Sequence, residues 1–223
     1  MTEGWPCWAI SNHDVKRVLS RWGNGHASAP LARLLTAMVC SLRGSVCVYQ
    51  GEELGLTEAD VPFEALQDPY GIAFWPQFKG RDGCRTPMPW NDELHAGFSR
   101  GTPWLPLPPE HRIRAVNQQE CDPHSVLNGF RTFMHWRKRQ PALCWGDIAF
   151  VQTPEPILAF TRSFNGETVL VALNLSSRDT EVVLPPLGQQ QLLTGHSLPQ
   201  GSLHDSLLRL PAHGAWFARA AKA

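Results

Sequence analysis

Near residue 142 the spacing of apolar residues changes from a period of 3.6 to a period of 2. One layer of helices or one sheet cannot satisfy both patterns, so the chain must hold two kinds of architecture. Beyond the change, Ile157–Phe164 and Glu167–Asn174 are strand-like runs joined by Asn165-Gly166, a dipeptide suited to the positive φ angles of a tight hairpin. Further short strand candidates lie at 148–152, 180–184, 190–193, 206–210 and 215–219. Strands of this length with turn signals between them predict an antiparallel β-sandwich over 142–223.

Before the change, the clearest helix covers 29–43, with Leu31, Leu34, Leu35, Met38, Val39 and Leu42 on one stripe. Ser28 can cap it, Pro30 fits its first turn and Gly44 stops it. Short apolar runs flank this helix at 7–11 and 45–49, and each hands over to polar residues, Asn12-His13-Asp14 and Gln50-Gly51-Glu52-Glu53. Strand, helix, strand with polar carboxyl ends is the pattern of a parallel α/β sheet or barrel, whose functional groups gather at those ends. Residues 54–121 are rich in Pro, Gly and Trp and weakly periodic, a length of irregular chain that usually carries function. A second helix is predicted from Asp122 as cap and Pro123 in the first turn to about residue 140, with Val126, Phe130, Phe133 and Arg137 on one stripe. The fold class is therefore α/β over 1–141 plus β over 142–223, within the range of one large or two modest domains for 223 residues.

Lys+Arg 20 against Asp+Glu 20 gives zero net charge, which argues against a nucleic-acid partner. Six cysteines without a C-x-x-C pair are expected to be reduced thiols, and nine histidines without H-x-x-x-H spacing give no metal site, so no metal or cofactor is expected. No apolar run reaches about 18 residues. Residues 1–20 carry no export signal, so no membrane partner and a cytoplasmic location are expected.

Asn12-His13-Asp14 alone would suit a turn cap equally well. Three segments together carry more: SNHDVKRVLSRWG (11–23), LRGSVCVYQGEELGL (42–56) and GRDGCRTPMPWNDELHAGFS (80–99). In this order, with a β-domain behind them, they resemble the C-terminal part of the α-amylase superfamily of glycoside hydrolases, most closely its α-glucosidase and oligo-1,6-glucosidase members. The resemblance implies the end of a (β/α)8 TIM barrel, with strand 7 at 7–11 and strand 8 at 45–49 and their helices, followed by the sandwich. It implies retaining cleavage of terminal α-linked glucose from oligosaccharide substrates, through a nucleophile, an acid/base and a third carboxylate that steadies an oxocarbenium-like transition state. It places Asp14 in the third role, makes His13 a donor to the hydroxyls of the terminal glucose, and sets Arg81 against that glucose and its carboxylate partners. Arg17, a turn after Asp14, is a further substrate-binding candidate, and Gly51 and Glu53 are expected to be structural.

In that family the nucleophile Asp and acid/base Glu follow strands four and five, and the residues selecting α-1,4 or α-1,6 linkage lie largely in the part of the family's barrel before strand seven. None has a counterpart in these residues, and Glu52, Glu53 and Asp82 substitute only if a pair sits roughly 5–5.5 Å apart across the bond. The 223-residue chain by itself is expected to be inactive. Two other readings stay open: a non-catalytic carbohydrate-binding module whose tryptophans stack on sugars, and a piece that completes a barrel with a separate N-terminal half.

Overall fold

The computed structural model describes residues 4–185 and 190–220. The ends of the two expected domains, 1–3 and 221–223, and the segment 186–189 lie outside the described residues. In chain order the elements are β1 (Cys7–Trp8), α1 (Val18–Trp22), α2 (Ala29–Ser41), β2 (Ser45–Val46), α3 (Pro69–Ala73), α4 (Pro109–Arg112), α5 (Val116–Glu120), α6 (Val126–Lys138) and α7 (Pro141–Trp145). The strands β3 (Asp147–Val151), β4 (Ile157–Phe164), β5 (Glu167–Asn174), β6 (Thr180–Val183), β7 (Gln190–Leu192), β8 (Ser202–His204), β9 (Leu207–Leu210) and β10 (Ala215–Ala220) follow.

Two compact units emerge, one comprising 1–8, 33–47 and 129–223, the other 9–32 and 48–128. In the first, β1 and β2 pair in parallel, Cys7 opposite Ser45 and Trp8 opposite Val46. Five strands form an antiparallel sheet in the order β3-β4-β5-β10-β7, and three form another in the order β6-β9-β8. Ile157, Leu170, Val182, Leu208, Leu210 and Trp216 share one core drawn from both sheets, which makes this a sandwich. The other face of the larger sheet meets α6, where Trp136 lies 4.8 Å from the Phe217 ring and His196 4.9 Å from it. Burial on both faces explains why β5 reads as a continuous apolar run, VLVAL, instead of alternating.

Arg162 of β4 is fully buried, which the alternation of its strand does not announce. It donates to the carbonyls of Leu143 (3.0 Å), Gly146 (2.8 Å) and Ser41. Burial lowers its pKa to about 10, and the nearby Arg137 adds to the effect.

Several expected boundaries move. The strand expected at 7–11 stops at Trp8, because the Ile10 carbonyl accepts from Arg21 and Ser11 Oγ accepts the Val18 N–H at 2.9 Å, tying this segment to α1. The strand expected at 45–49 likewise ends at Val46. The helix expected from Asp122 begins at Val126: Asp122 accepts the His124 N–H at 2.8 Å in a local turn, and Ser125 Oγ takes the cap, 3.1 Å from the Asn128 N–H. Ser202–His204 is a strand that the sequence reading lacks.

The second unit is mostly irregular chain with short helical turns. Its small cores include Leu54, Leu56, Met88 and Leu127, and Ala59, Val61 and Leu66.

Candidate active site

Asn12 begins the site. Its Oδ1 accepts the Asp14 N–H at 2.8 Å, a local turn that turns the Asp14 carboxylate outward, half exposed. His13 Nε2 is 3.5 Å from Asp14 Oδ2. From the distant Gly80–Arg85 segment, Arg81 Nη1 and Arg85 Nη2 both donate to Asp14 Oδ1, each at 3.0 Å, and Arg85 Nε donates to the His13 carbonyl at 2.7 Å. The structure thus brings His13, Asp14 and Arg81 together, with Oδ1 occupied by two guanidiniums.

Asp68 caps α3 by accepting the Tyr70 N–H at 3.2 Å and is itself buried. Arg81 grips it in a fork, Nε to Oδ2 at 2.8 Å and Nη2 to Oδ1 at 2.9 Å, and the Arg81 N–H adds a third bond at 2.8 Å. These bonds from Arg81 hold the Asp68 carboxyl well below the usual carboxylate range. Beneath it, Asp82 Oδ2 accepts the N–H groups of Gln67 (2.6 Å) and Asp68 (2.8 Å). Gly80, at φ +76°, is required here: a Cβ would stand 2.9 Å from Asp68 Oδ2 and 2.8 Å from the Gly71 Cα.

Arg17 takes a different place. It is 2% exposed, and its Nη1 and Nη2 donate to the carbonyls of Gln50 (2.8 Å) and Cys84 (3.0 Å). Burial lowers its pKa, and its side chain ties together two loops instead of joining the open Asp14 cluster. Glu52 and Glu53 accept the N–H groups of Tyr49 (3.2 Å) and Gly51 (2.8 Å) in their own loop, and burial raises both pKa values. A cavity of about 690 Å3 opens beside the cluster, lined among others by Asp14, Lys16, Glu58, Asp60, Phe78 and Arg81. Among the described residues no three His, Cys, Asp or Glu side chains are grouped to hold a metal ion, and no helix is long and apolar enough to cross a membrane. The six cysteines are free.

Residues 1–146 match the α-amylase catalytic domain, and 148–216 match the C-terminal domain of maltogenic amylase. The chain belongs to the α-amylase family of glycoside hydrolases. Within the family it is 51% identical over 220 residues to a probable α-glucosidase of Rhizobium meliloti, covering 98% of this chain and 40% of that one. It is 30% identical to an oligo-1,6-glucosidase of Halalkalibacterium halodurans, covering 82% of this chain and 36% of the relative. A crystal structure of an α-glucosyl transfer enzyme, XgtA, superposes with a TM-score of 0.96 at 54% identity, over 99% of this chain and 41% of that one. The chain therefore spans about two fifths of the length of the proteins it resembles. Its architecture is that of the family: the end of a TIM barrel plus an antiparallel β-domain.

The sequence reading of this α-amylase-family chain missed two members of the cluster, Asp68 and Arg85. Asp68 precedes a proline and could have been found as a helix cap; its grip on Arg81 spans 13 residues of irregular chain and leaves no periodic trace.

Proposed function

We propose that this chain supplies part of the active site of a retaining α-glucosidase that removes terminal α-linked glucose from oligosaccharides. The observation that carries the reading is the convergence of His13, Arg81 and Arg85 on Asp14, a half-exposed carboxylate whose Oδ1 accepts from both guanidiniums and whose Oδ2 lies 3.5 Å from His13 Nε2. In this reading Asp14 steadies the oxocarbenium-like transition state, His13 donates to sugar hydroxyls, and Arg81 recognises the terminal glucose. Arg17 acts from behind, holding the loops at Gln50 and Cys84 on which the site stands. The first domain, 1–141, carries barrel strands 7 and 8 as β1 and β2, and the second, 142–223, is the sandwich.

The nucleophile and the acid/base come from polypeptide outside these residues, in a barrel part that pairs with the free edges of β1 and β2. Support comes from the three substitutes considered above: Glu52 and Glu53 accept N–H groups of their own loop, and Asp82 is buried and accepts the Asp68 N–H. The free thiols fit a reducing, cytoplasmic setting.

A second reading, glucosyl transfer, is favoured by the 54% identity to the transfer enzyme. The same covalent glucosyl intermediate would be captured by a sugar or alcohol hydroxyl in place of water. Both are tested by producing the chain together with the amino-terminal part of the Rhizobium meliloti relative and following an oligosaccharide by NMR. Glucose released first as the α-anomer is expected for hydrolysis, and new glucosides for transfer. Sugar binding without either product would leave a binding module.

A further inference from the structure

Two guanidiniums on one oxygen create a difficulty for the role given to Asp14. Arg81 and Arg85, each 3.0 Å from Oδ1, outweigh a single carboxylate, so the three groups together are net positive. The transition state they face gains positive charge, and a net positive cluster opposes it.

Asp68 corrects the balance. It is 1% exposed, and it engages Arg81 through Nε and Nη2, leaving Nη1 alone for Asp14. We propose that Asp68 is a positioning residue that neutralises Arg81 and limits it to one bond with Asp14, so that Asp14 acts on the sugar with its negative charge intact. The proposal rests on the glucosidase reading. The geometry is fixed from behind: Asp82 holds the Asp68 main chain at 2.8 Å, and the Arg81 N–H returns a bond to Asp68 Oδ2 at 2.8 Å. A fork already filled by Asp68 cannot close two-pronged on Asp14 and cover Oδ2. Arg85, by contrast, donates through Nε to the His13 carbonyl and through Nη2 to Asp14 itself.

The test compares a cation with a neutral sugar of the same shape. In the assembled enzyme described above, the affinities of a protonated glucose-like iminosugar and of glucose are measured by calorimetry, beside kcat and KM for an aryl α-glucoside. Turnover by the wild type establishes the glucosidase reading independently; no turnover and no binding there would remove that reading and the proposal with it. With turnover in place, Asp68→Asn is expected to weaken the iminosugar by about tenfold or more and glucose by less than about threefold, with the loss of activity falling mainly on kcat. Asp68→Glu keeps the charge and is expected to hold the ratio of the two affinities within about threefold of wild type, even where displaced geometry weakens both. An unchanged ratio in Asp68→Asn overturns the proposal. If that variant does not fold, a ratio that collapses in Asp68→Glu overturns it, and a wild-type ratio there supports it.

Discussion

Arg81 Nη1 lies 3.0 Å from Asp14 Oδ1 although 67 positions separate the two residues. The contact joins the turn after β1 to the irregular chain around Gly80, and it exists because Asp68 holds the other side of the same guanidinium. The approach of Arg81 to Asp14 is therefore fixed by a buried carboxylate.

Replacing Arg81 with lysine keeps the charge and loses the fork. A single ammonium cannot bridge Asp68 and Asp14 together. In the assembled enzyme Arg81→Lys should lower kcat/KM for an oligosaccharide by about tenfold or more, chiefly through KM. Steady-state kinetics within about twofold of wild type would detach Arg81 from recognition of the glucose.

Gly80→Ala should act on the site from outside it. A Cβ at φ +76° is strained and presses on Asp68 Oδ2, 2.9 Å away. The expected cost is about 1–3 kcal/mol of stability, read by urea unfolding, together with a KM defect in the direction of Arg81→Lys. Unchanged stability and KM would show that the Gly71–Gly80 approach yields without strain.

Arg162→Met removes a buried cation whose guanidinium serves the Leu143, Gly146 and Ser41 carbonyls. Methionine fills much of the volume and satisfies none of them. The variant should lose about 3–5 kcal/mol in urea unfolding, and a loss below about 1 kcal/mol would mean that the carbonyls find other partners.

His111 and His196 make stability depend on pH. His111 Nε2 donates to the Thr57 carbonyl at 2.9 Å, and His196 Nδ1 accepts the Leu198 N–H at 3.2 Å, which needs a neutral ring; both side chains are buried, and burial disfavours their charged form. Burial depresses both pKa values from 6.5 to about 4. A depressed folded-state pKa contributes stability that is complete above 6.5 and is lost as pH falls toward about 4. Urea unfolding should show lower stability at pH 5 than at pH 7, and the double variant His111→Gln, His196→Gln should flatten the slope between them. Equal slopes in the two proteins would remove the histidines as its source.

Where local chemistry decides, the sequence is a faithful guide. Asn165-Gly166 takes φ of 49° and 77°, and the two hairpin strands end where the dipeptide requires. Ser28 caps α2 as its position suggests, 3.3 Å from the Leu31 N–H. Ser202–His204 escapes because three residues with one apolar side chain carry no period, and they are strand only through pairing with β9. Arg162 escapes because alternation marks a face without saying what covers it. In the candidate site, the family resemblance named Asp14, His13 and Arg81, which the structure brings together. Asp68, Arg85 and the inward turn of Arg17 depend on how residues 50–85 fold back, which no local pattern encodes.

The proposed function requires Asp14 of this chain to work on a glucosyl group whose nucleophile lies in polypeptide outside these residues. The most direct measurement is the turnover of an aryl α-glucoside by the chain joined with the amino-terminal part of its Rhizobium meliloti relative, wild type against Asp14→Asn. Activity is expected only in the joined protein, with kcat lower by about 100-fold or more in Asp14→Asn while its thermal melting is unchanged. Turnover by the 223-residue chain alone, or an Asp14→Asn assembly as fast as wild type, would contradict the proposed function.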